Sequence, residues 1–233
     1  MKIAIVGYGK MGRMIEHLAS ERQIPVALKL DEFNNANFAG ITEPNFRDVD
    51  VAIDFSTPST VVGNIDRIAA LGVNLVIGTT GWHEQMSHVK KIVERHNIGL
   101  IWSPNYSIGV NAFFRIVSAA AKLLANEPQY EAWAWEIHHS AKKDAPSGTL
   151  LKLVDEMCEA GYERQVDVAS NRAGKIAGTH EIGFDSAADT ITLRHTARSR
   201  EGFALGAIKA AEWIVGKKGF HEFGDILFTE PRP

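Results

Sequence analysis

The sequence predicts a doubly wound parallel α/β sheet followed by a second, α+β domain. Three observations predict it. Short β-rich runs alternate with helical patterns through the first half, which implies right-handed crossovers between parallel strands. The first run ends in the glycine turn Gly7-Tyr8-Gly9-Lys10-Met11-Gly12. After Gly109 the pattern changes, with a long helix and then strands whose apolar and polar residues alternate.

At 233 residues the chain can bury the core of one large domain or two modest ones. A net charge of −3 provides no basic field for nucleic acid or an anionic membrane surface. The single cysteine, Cys158, excludes an intrachain disulfide and a multi-cysteine metal cluster, and fits a reducing compartment. Met1 to Val6 is too short an apolar run for a signal peptide, and no segment approaches the roughly 18 apolar residues of a membrane span. The expectation is a cytoplasmic protein with neither nucleic-acid nor membrane partners.

Lys2 to Val6 reads as a buried parallel strand, and Met14, Ile15, Leu18 and Ala19 give the following segment a helical face. Between them the glycine turn fits G-x-G-x-x-G. The first glycine permits the tight turn, the second admits a pyrophosphate to the backbone, and the third lets helix pack on strand. Free N–H groups of the helix then face the phosphates. Pro25 to Leu30 is the next strand, and Asp31 at its end can accept hydrogen bonds from the adenosine ribose. This is a Rossmann-type dinucleotide site. Asp31 would repel a 2′-phosphate and so favours NADH. Lys10 and Lys29 lie close in sequence and keep NADPH open.

Glu32 to Asp48 has no clear period and reads as a surface excursion with at most an irregular strand. Val49 to Phe55, Val73 to Ile77 and Ile98 to Trp102 continue the strands. Helices run through Val61–Ala69 and from about Trp82 to Asn97. Ligands of such sheets sit beyond the carboxyl ends of the strands. There fall Phe55 to Thr57, Gly78-Thr79-Thr80-Gly81 and Ser103-Pro104-Asn105-Tyr106, loops of small, hydroxyl and amide residues suited to a nicotinamide and its ribose.

In the second half, Val110 to Leu124 is helical and Tyr130 to His139 is an alternating strand. Trp133, Trp135 and Ile137 lie on one face, and Ala132, Ala134, Glu136 and His138 on the other. The strand enters the densest chemical run of the chain, Glu136-Ile137-His138-His139-Ser140-Ala141-Lys142-Lys143-Asp144-Ala145-Pro146-Ser147-Gly148-Thr149. Ser147 reads as the N-cap of a helix running to about Ala160, whose first N–H groups and hydroxyls could cradle a carboxylate. Histidine suits proton delivery near neutrality, and a nearby lysine can hold an acidic substrate. Adjacent histidines could also bind a metal, but no other clustered ligands are evident, so none is expected. Thr179 to Phe184 and Thr190 to Ala197 are two further strands. Phe203 to Val215 is a last helix with Phe203, Ala207, Ala210, Ala211 and Ile214 inward, returning to the first domain with nothing new after it.

The Glu136–Thr149 run resembles the signature E-x-H-H-x-x-K-x-D-A-P-S-G-T of the 4-hydroxy-tetrahydrodipicolinate (dihydrodipicolinate) reductase family. The turn ending Lys10-Met11-Gly12, the Gly78–Gly81 loop, the stretch Pro104 to Asn111 and Arg172-Ala173-Gly174 also resemble it, so the likeness spans nearly the whole chain. The resemblance implies reduction of a cyclic dicarboxylic imine to tetrahydrodipicolinate by NADH or NADPH, in the diaminopimelate route of lysine biosynthesis. By motif, His138 would be the proton donor and Lys142 its catalytic partner. His139, Ser147, Gly148 and Thr149 would bind the substrate carboxylates. Gly7 to Gly12, Asp31, Gly78 to Thr80 and Ser103 to Tyr106 would bind the cofactor. The resemblance further implies a Rossmann domain over residues 1–107, completed by about 201–233. Residues 108–200 would form the substrate domain, whose open mixed sheet builds a homotetramer and which closes on the first.

This chain departs from the family pattern in three places. Ser140-Ala141 stands where many members carry Arg-His, the glycine turn is one residue tighter, and Glu32 follows Asp31 where others have a basic residue. The last two favour NADH. The residues leave open another two-domain dehydrogenase, which would not need the carboxylate cradle. They also leave open a non-catalytic NAD(H) sensor, which would lack a proton donor.

Overall fold

The structure is a computed structural model that describes residues 1–228; the end of the expected C-terminal segment, 229–233, lies outside the described residues. The chain divides into two compact units, Met1–Ile108 with the segment from Glu201 on, and Gly109–Arg200.

The first unit begins with β1 (Ile3–Val6), α1 (Lys10–Glu21), β2 (Val26–Leu30), α2 (Glu43–Phe46), β3 (Val51–Asp54) and α3 (Val61–Ala70). It continues with β4 (Asn74–Ile77), α4 (Met86–His96) and β5 (Gly99–Trp102). The second unit holds α5 (Ile108–Leu124), β6 (Glu131–His138), α6 (Gly148–Glu159), β7 (Val166–Arg172), β8 (Thr179–Asp185) and β9 (Thr190–Thr196). The chain then returns to the first unit with α7 (Glu201–Ile214), β10 (Gly219–Glu222) and α8 (Phe223–Ile226).

The first sheet has the order β10-β5-β4-β3-β1-β2 and every pair is parallel. Its central strands β1, β3 and β4 are buried at every position, as helices on both faces require. Ala4 and Val6 pack with α3 and α4 through Val61, Ile65, Val89 and Ile92. Ile3 and Ile5 pack on the opposite face with Ile15 of α1 and Ala207 and Ile214 of α7. The register aligns Val6, Asp54 and Ile77, so the loops after β1, β3 and β4 leave one edge together.

Two sequence expectations change in this unit. The last helix does return to the first sheet, but a sixth strand follows it. β10 adds beside β5 although Phe220 is its only large apolar residue, because an edge strand needs little apolar character. Glu32 to Asp48 contains a single 3₁₀ turn (Ala36–Phe38) and the short α2, which buries Phe46.

The second sheet is mixed, in the order β7-β6-β8-β9, with β6 parallel to β7 and antiparallel to β8. α5 and α6 cover one face, through Phe113, Phe114 and Val117 of α5 and Leu150, Leu153 and Met157 of α6. The face they cover is that of Ala132, Ala134, Glu136 and His138, all buried. The tryptophan face, with Trp133 and Trp135, is only half-buried. Apolar character alone therefore points the wrong way on β6; the small alanines admit the helices, and the tryptophans lie on the open side. β7 was invisible to pattern reading, since Val166-Asp167-Val168-Ala169-Ser170-Asn171-Arg172 is a polar edge strand. Among the described residues, no helix is long and apolar enough to cross a membrane.

One buried acid ties the strand ends of the first unit. Asp54, fully buried, accepts from Ser56 N (2.9 Å), Ser56 Oγ (2.7 Å), Thr79 Oγ1 (2.8 Å) and Asn64 Nδ2 (2.9 Å). Burial pushes its carboxyl up, and these donors offset part of that rise. Asp54→Ala leaves the buried Thr79 hydroxyl without its acceptor and Asn64 Nδ2 with Ser56 Oγ alone. The expected cost is about 2–3 kcal/mol, read as a lower urea midpoint at an unchanged m-value.

Candidate active site

At the carboxyl edge of the first sheet lies a cavity of about 680 Å³ lined by Gly7, Tyr8, Gly9, Arg13, Asp31 and Ser56, among others. The glycines there have distinct physical roles. Gly7 has φ +89°, and a Cβ on it would stand 2.3 Å from Phe55 O. A Cβ on Gly12 would meet Gly7 O at 2.6 Å, so this position is where α1 closes on the turn. Gly9 caps α1 and faces open space, as a site for a diphosphate at a helix start needs. Lys10 and Met11 form the first turn of α1. Asp31 holds its own loop, with Oδ1 accepting from Phe33 N (2.9 Å) and Asn34 N (3.1 Å), which leaves Oδ2 for a ribose hydroxyl. These residues fit a dinucleotide.

The other expected cofactor residues stand further along the same edge, outside that cavity. Gly78 lies against the Phe55 ring, Thr79 is committed to Asp54, and Thr80 is exposed. Ser103 Oγ donates to Asn105 O (2.8 Å) and accepts from Asn105 N (3.1 Å), which folds Ser103, Pro104 and Asn105 into a tight turn. Tyr106 is a core residue. Its hydroxyl lies 3.0 Å from Ile77 O and 3.1 Å from Ile101 O, and its ring packs on Phe223.

In the second unit the organising group is Glu136, near the end of β6 and fully buried. One oxygen accepts from Ser147 N (2.8 Å), Arg172 Nη2 (2.9 Å) and Ser170 Oγ (3.1 Å). The other takes a short hydrogen bond from Ser147 Oγ, and His138 Nδ1 and His180 Nε2 stand 3.3 Å and 3.4 Å from it. Burial pushes the carboxyl up, but the Ser147 and Arg172 donors outweigh it and hold the group below its ordinary range. Ser147 is the N-cap of α6, its Oγ accepting from Leu150 N at 3.2 Å. Its hydroxyl and N–H are thus spent on Leu150 and Glu136. Gly148 and Thr149 are the exposed and half-buried residues that follow at the helix start.

His138 is buried, and its ring meets that of His180 edge-on at 5.0 Å. A Cβ on Gly178 would stand 2.8 Å from His138 Nε2, so only glycine leaves the ring its space. Burial pushes the His138 pKa down, partly offset by Glu136. Lys142 sits half-buried with Nζ 2.9 Å from Asp144 Oδ1, and the turn from His139 is closed by Lys142 N donating to His139 O (3.0 Å). Asp144 is held below its ordinary range by Lys142 first, and the Gly148 N–H also faces it. The expected run is therefore brought together, with the Asp144 carboxylate paired to Lys142 and facing the Gly148 N–H.

Pattern reading missed Ser170 and Gly178, took Arg172 only as part of the family likeness, and gave His180 a core or interface role at least as readily as a substrate contact. Ser170, Arg172 and His180 depend on strand register, and Gly178 stands just before β8. Ser170 and Arg172 lie beside Glu136 and His138 across β7, and His180 lies opposite Glu136 on β8. The usable signal was the alternation of Ser170 and Arg172, once β7 is recognised. Glu136, His138 and His180 offer ligand atoms within 4.8 Å of one another, a spacing a metal ion could use. The carboxylate is already taken up by Ser147, Ser170 and Arg172, and the guanidinium opposes a further cation. The trio reads as a hydrogen-bonding and proton site.

His180 is pushed down to about 4, by burial first and then by His138. A histidine whose folded pKa is lowered stays neutral in the fold where the unfolded chain would protonate it. Its contribution is full above the ordinary value of 6.5 and is lost as pH falls toward about 4. The urea midpoint should fall across that window, and His180→Asn should flatten the fall. An unchanged slope in that variant would contradict the burial of a neutral imidazole.

Sequence profiles described as "Dihydrodipicolinate reductase, N-terminus" and "Dihydrodipicolinate reductase, C-terminus" match residues 1–106 and 109–227. The 4-hydroxy-tetrahydrodipicolinate reductase of Christiangramia forsetii is 34% identical over 239 residues, covering 97% of this chain and 98% of that one. That of Archaeoglobus fulgidus is 34% identical, covering 97% of this chain and 100% of the relative. Among solved structures, the dipicolinate-bound dihydrodipicolinate reductase of Paenisporosarcina sp. TG-14 superposes with a TM-score of 0.82 at 23% identity, over 97% of this chain and 99% of that chain. With both halves of its length matched in order, this chain belongs to the dihydrodipicolinate reductase family.

Proposed function

We propose that this chain reduces 4-hydroxy-tetrahydrodipicolinate to tetrahydrodipicolinate with NADH or NADPH, in the diaminopimelate route of lysine biosynthesis. The observation that carries the reading is the Glu136 cluster, where a carboxylate, a buried histidine and a helix start converge on the end of β6. A reduced nicotinamide supplies hydride to the ring carbon when bound. His138 delivers the proton that completes reduction. Lys142 and the Gly148–Thr149 helix start receive the substrate carboxylates, with His139 beside them, once the Asp144 side chain gives way. Ser147 acts by holding that helix start to Glu136. An anionic substrate raises the His138 pKa that burial lowers, so the group gains its proton as the dicarboxylate arrives.

NADH is the preferred donor in this reading, since Asp31 and Glu32 both line the nucleotide cavity. The half-buried Trp133 and Trp135 on the uncovered sheet face support assembly into a cytoplasmic homotetramer through that face.

The test couples a dihydrodipicolinate synthase to this protein and follows NADH and NADPH oxidation. The wild type should turn over, and His138→Gln should bind nucleotide normally while losing about 100-fold or more in kcat. Absence of oxidation with either nucleotide would refute the activity. Wild-type turnover by His138→Gln would remove the proton-donor role.

A further inference from the structure

A compact set of charges surrounds Tyr8, a residue of the nucleotide cavity wall. Tyr8 follows the first glycine of the turn and lines the cavity. Arg13 and Lys29 lie 5.6 Å and 5.2 Å from its ring centroid. The Tyr8 hydroxyl donates a short hydrogen bond to Glu16 Oε2, and Lys29 Nζ reaches Glu16 Oε1 at 2.9 Å. Glu16 is thus a clamp from α1 that holds a phenol and an ammonium at once. Lys29 is the second residue before Asp31, the acid placed for the adenosine ribose.

A 2′-phosphate adds nearly two negative charges at that ribose, next to Asp31 and Glu32. Binding it requires a cation whose charge is not already matched. Arg13 lines the cavity over the Tyr8 ring of the glycine turn, while Lys29, the cation nearest Asp31 along the chain, has its ammonium matched by Glu16. We propose that Glu16 is a positioning residue for cofactor choice: it withholds Lys29 from the 2′ position and so sets the site against NADPH. The inference rests on the nucleotide-dependent reading above and deepens it. The acids at the end of β2 repel the phosphate, and the clamp removes the lysine that would offset them. The carboxyl of Glu16 is held below its ordinary range by Tyr8 first and then Lys29, and Lys29 is raised by Glu16, so the pair stays ionised across the neutral range.

The test titrates NADH and NADPH into the full chain by nicotinamide fluorescence, for wild type, Glu16→Gln, Lys29→Met and the double variant. Wild type should bind NADH more tightly. Glu16→Gln should tighten NADPH relative to NADH by about fivefold, the scale of an exposed ion pair. Adding Lys29→Met should erase that gain, while Lys29→Met alone should change the NADPH affinity little. A structural role for Glu16 would weaken both nucleotides together and leave their ratio unmoved, which would overturn the proposal. A gain that survives in the double variant would overturn it too. Wild-type binding of neither nucleotide would defeat the nucleotide site itself, a separate result from an unmoved ratio.

Discussion

A carboxylate with no exposed surface is the constraint on which the second unit depends. Removing a carboxylate from water costs several kcal/mol unless charge and hydrogen bonds replace its hydration. Glu136 meets that requirement with donors from different parts of the chain: the Ser147 N–H and hydroxyl at the start of α6, and Ser170 and Arg172 on β7. Satisfying the charge therefore fixes where α6 begins relative to the end of β6. It also fixes where His138 sits, because Glu136 is two residues before it on the same strand face. The residues proposed as proton donor and as anion-binding helix start are thus brought into register by Glu136.

The first unit uses the same device at the other ligand. Asp54, also without exposed surface, gathers Ser56, Asn64 and Thr79 at the carboxyl edge of the parallel sheet. Asp54 ends β3 and Glu136 lies two residues before the end of β6, and each holds loop residues by hydrogen bonds. Their electrostatic outcomes differ. The Ser147 donors and then Arg172 keep the Glu136 carboxyl low against its burial, whereas at Asp54 burial outweighs the donors and raises the carboxyl.

Much of this architecture was legible in the sequence. Fully buried strands such as Ile3–Val6 and Val51–Asp54 announce themselves as apolar runs, and the glycine turn and the Ser147 cap follow from backbone chemistry. The run from Glu136 to Thr149 also showed its chemistry, since its residues are contiguous. What was missed depends on pairing at a distance. β7 and β10 are edge strands with too few apolar residues to show a period. Arg172 and His180 join the site only through register with β6. Ser147, expected as a substrate ligand, has its hydroxyl and N–H on Glu136 in this structure, a pairing that a sequence does not show.

The central claim is that Glu136 organises the site from within. It is tested most directly by the kcat/KM of Glu136→Gln for the dicarboxylic substrate, measured beside its affinity for NADH. The amide keeps the shape but turns a donor toward Ser147 or Arg172 and removes the charge. The account predicts a loss of about 100-fold or more in kcat/KM, equivalent to about 2.7 kcal/mol, with NADH affinity unchanged. A variant that keeps wild-type kcat/KM would contradict it.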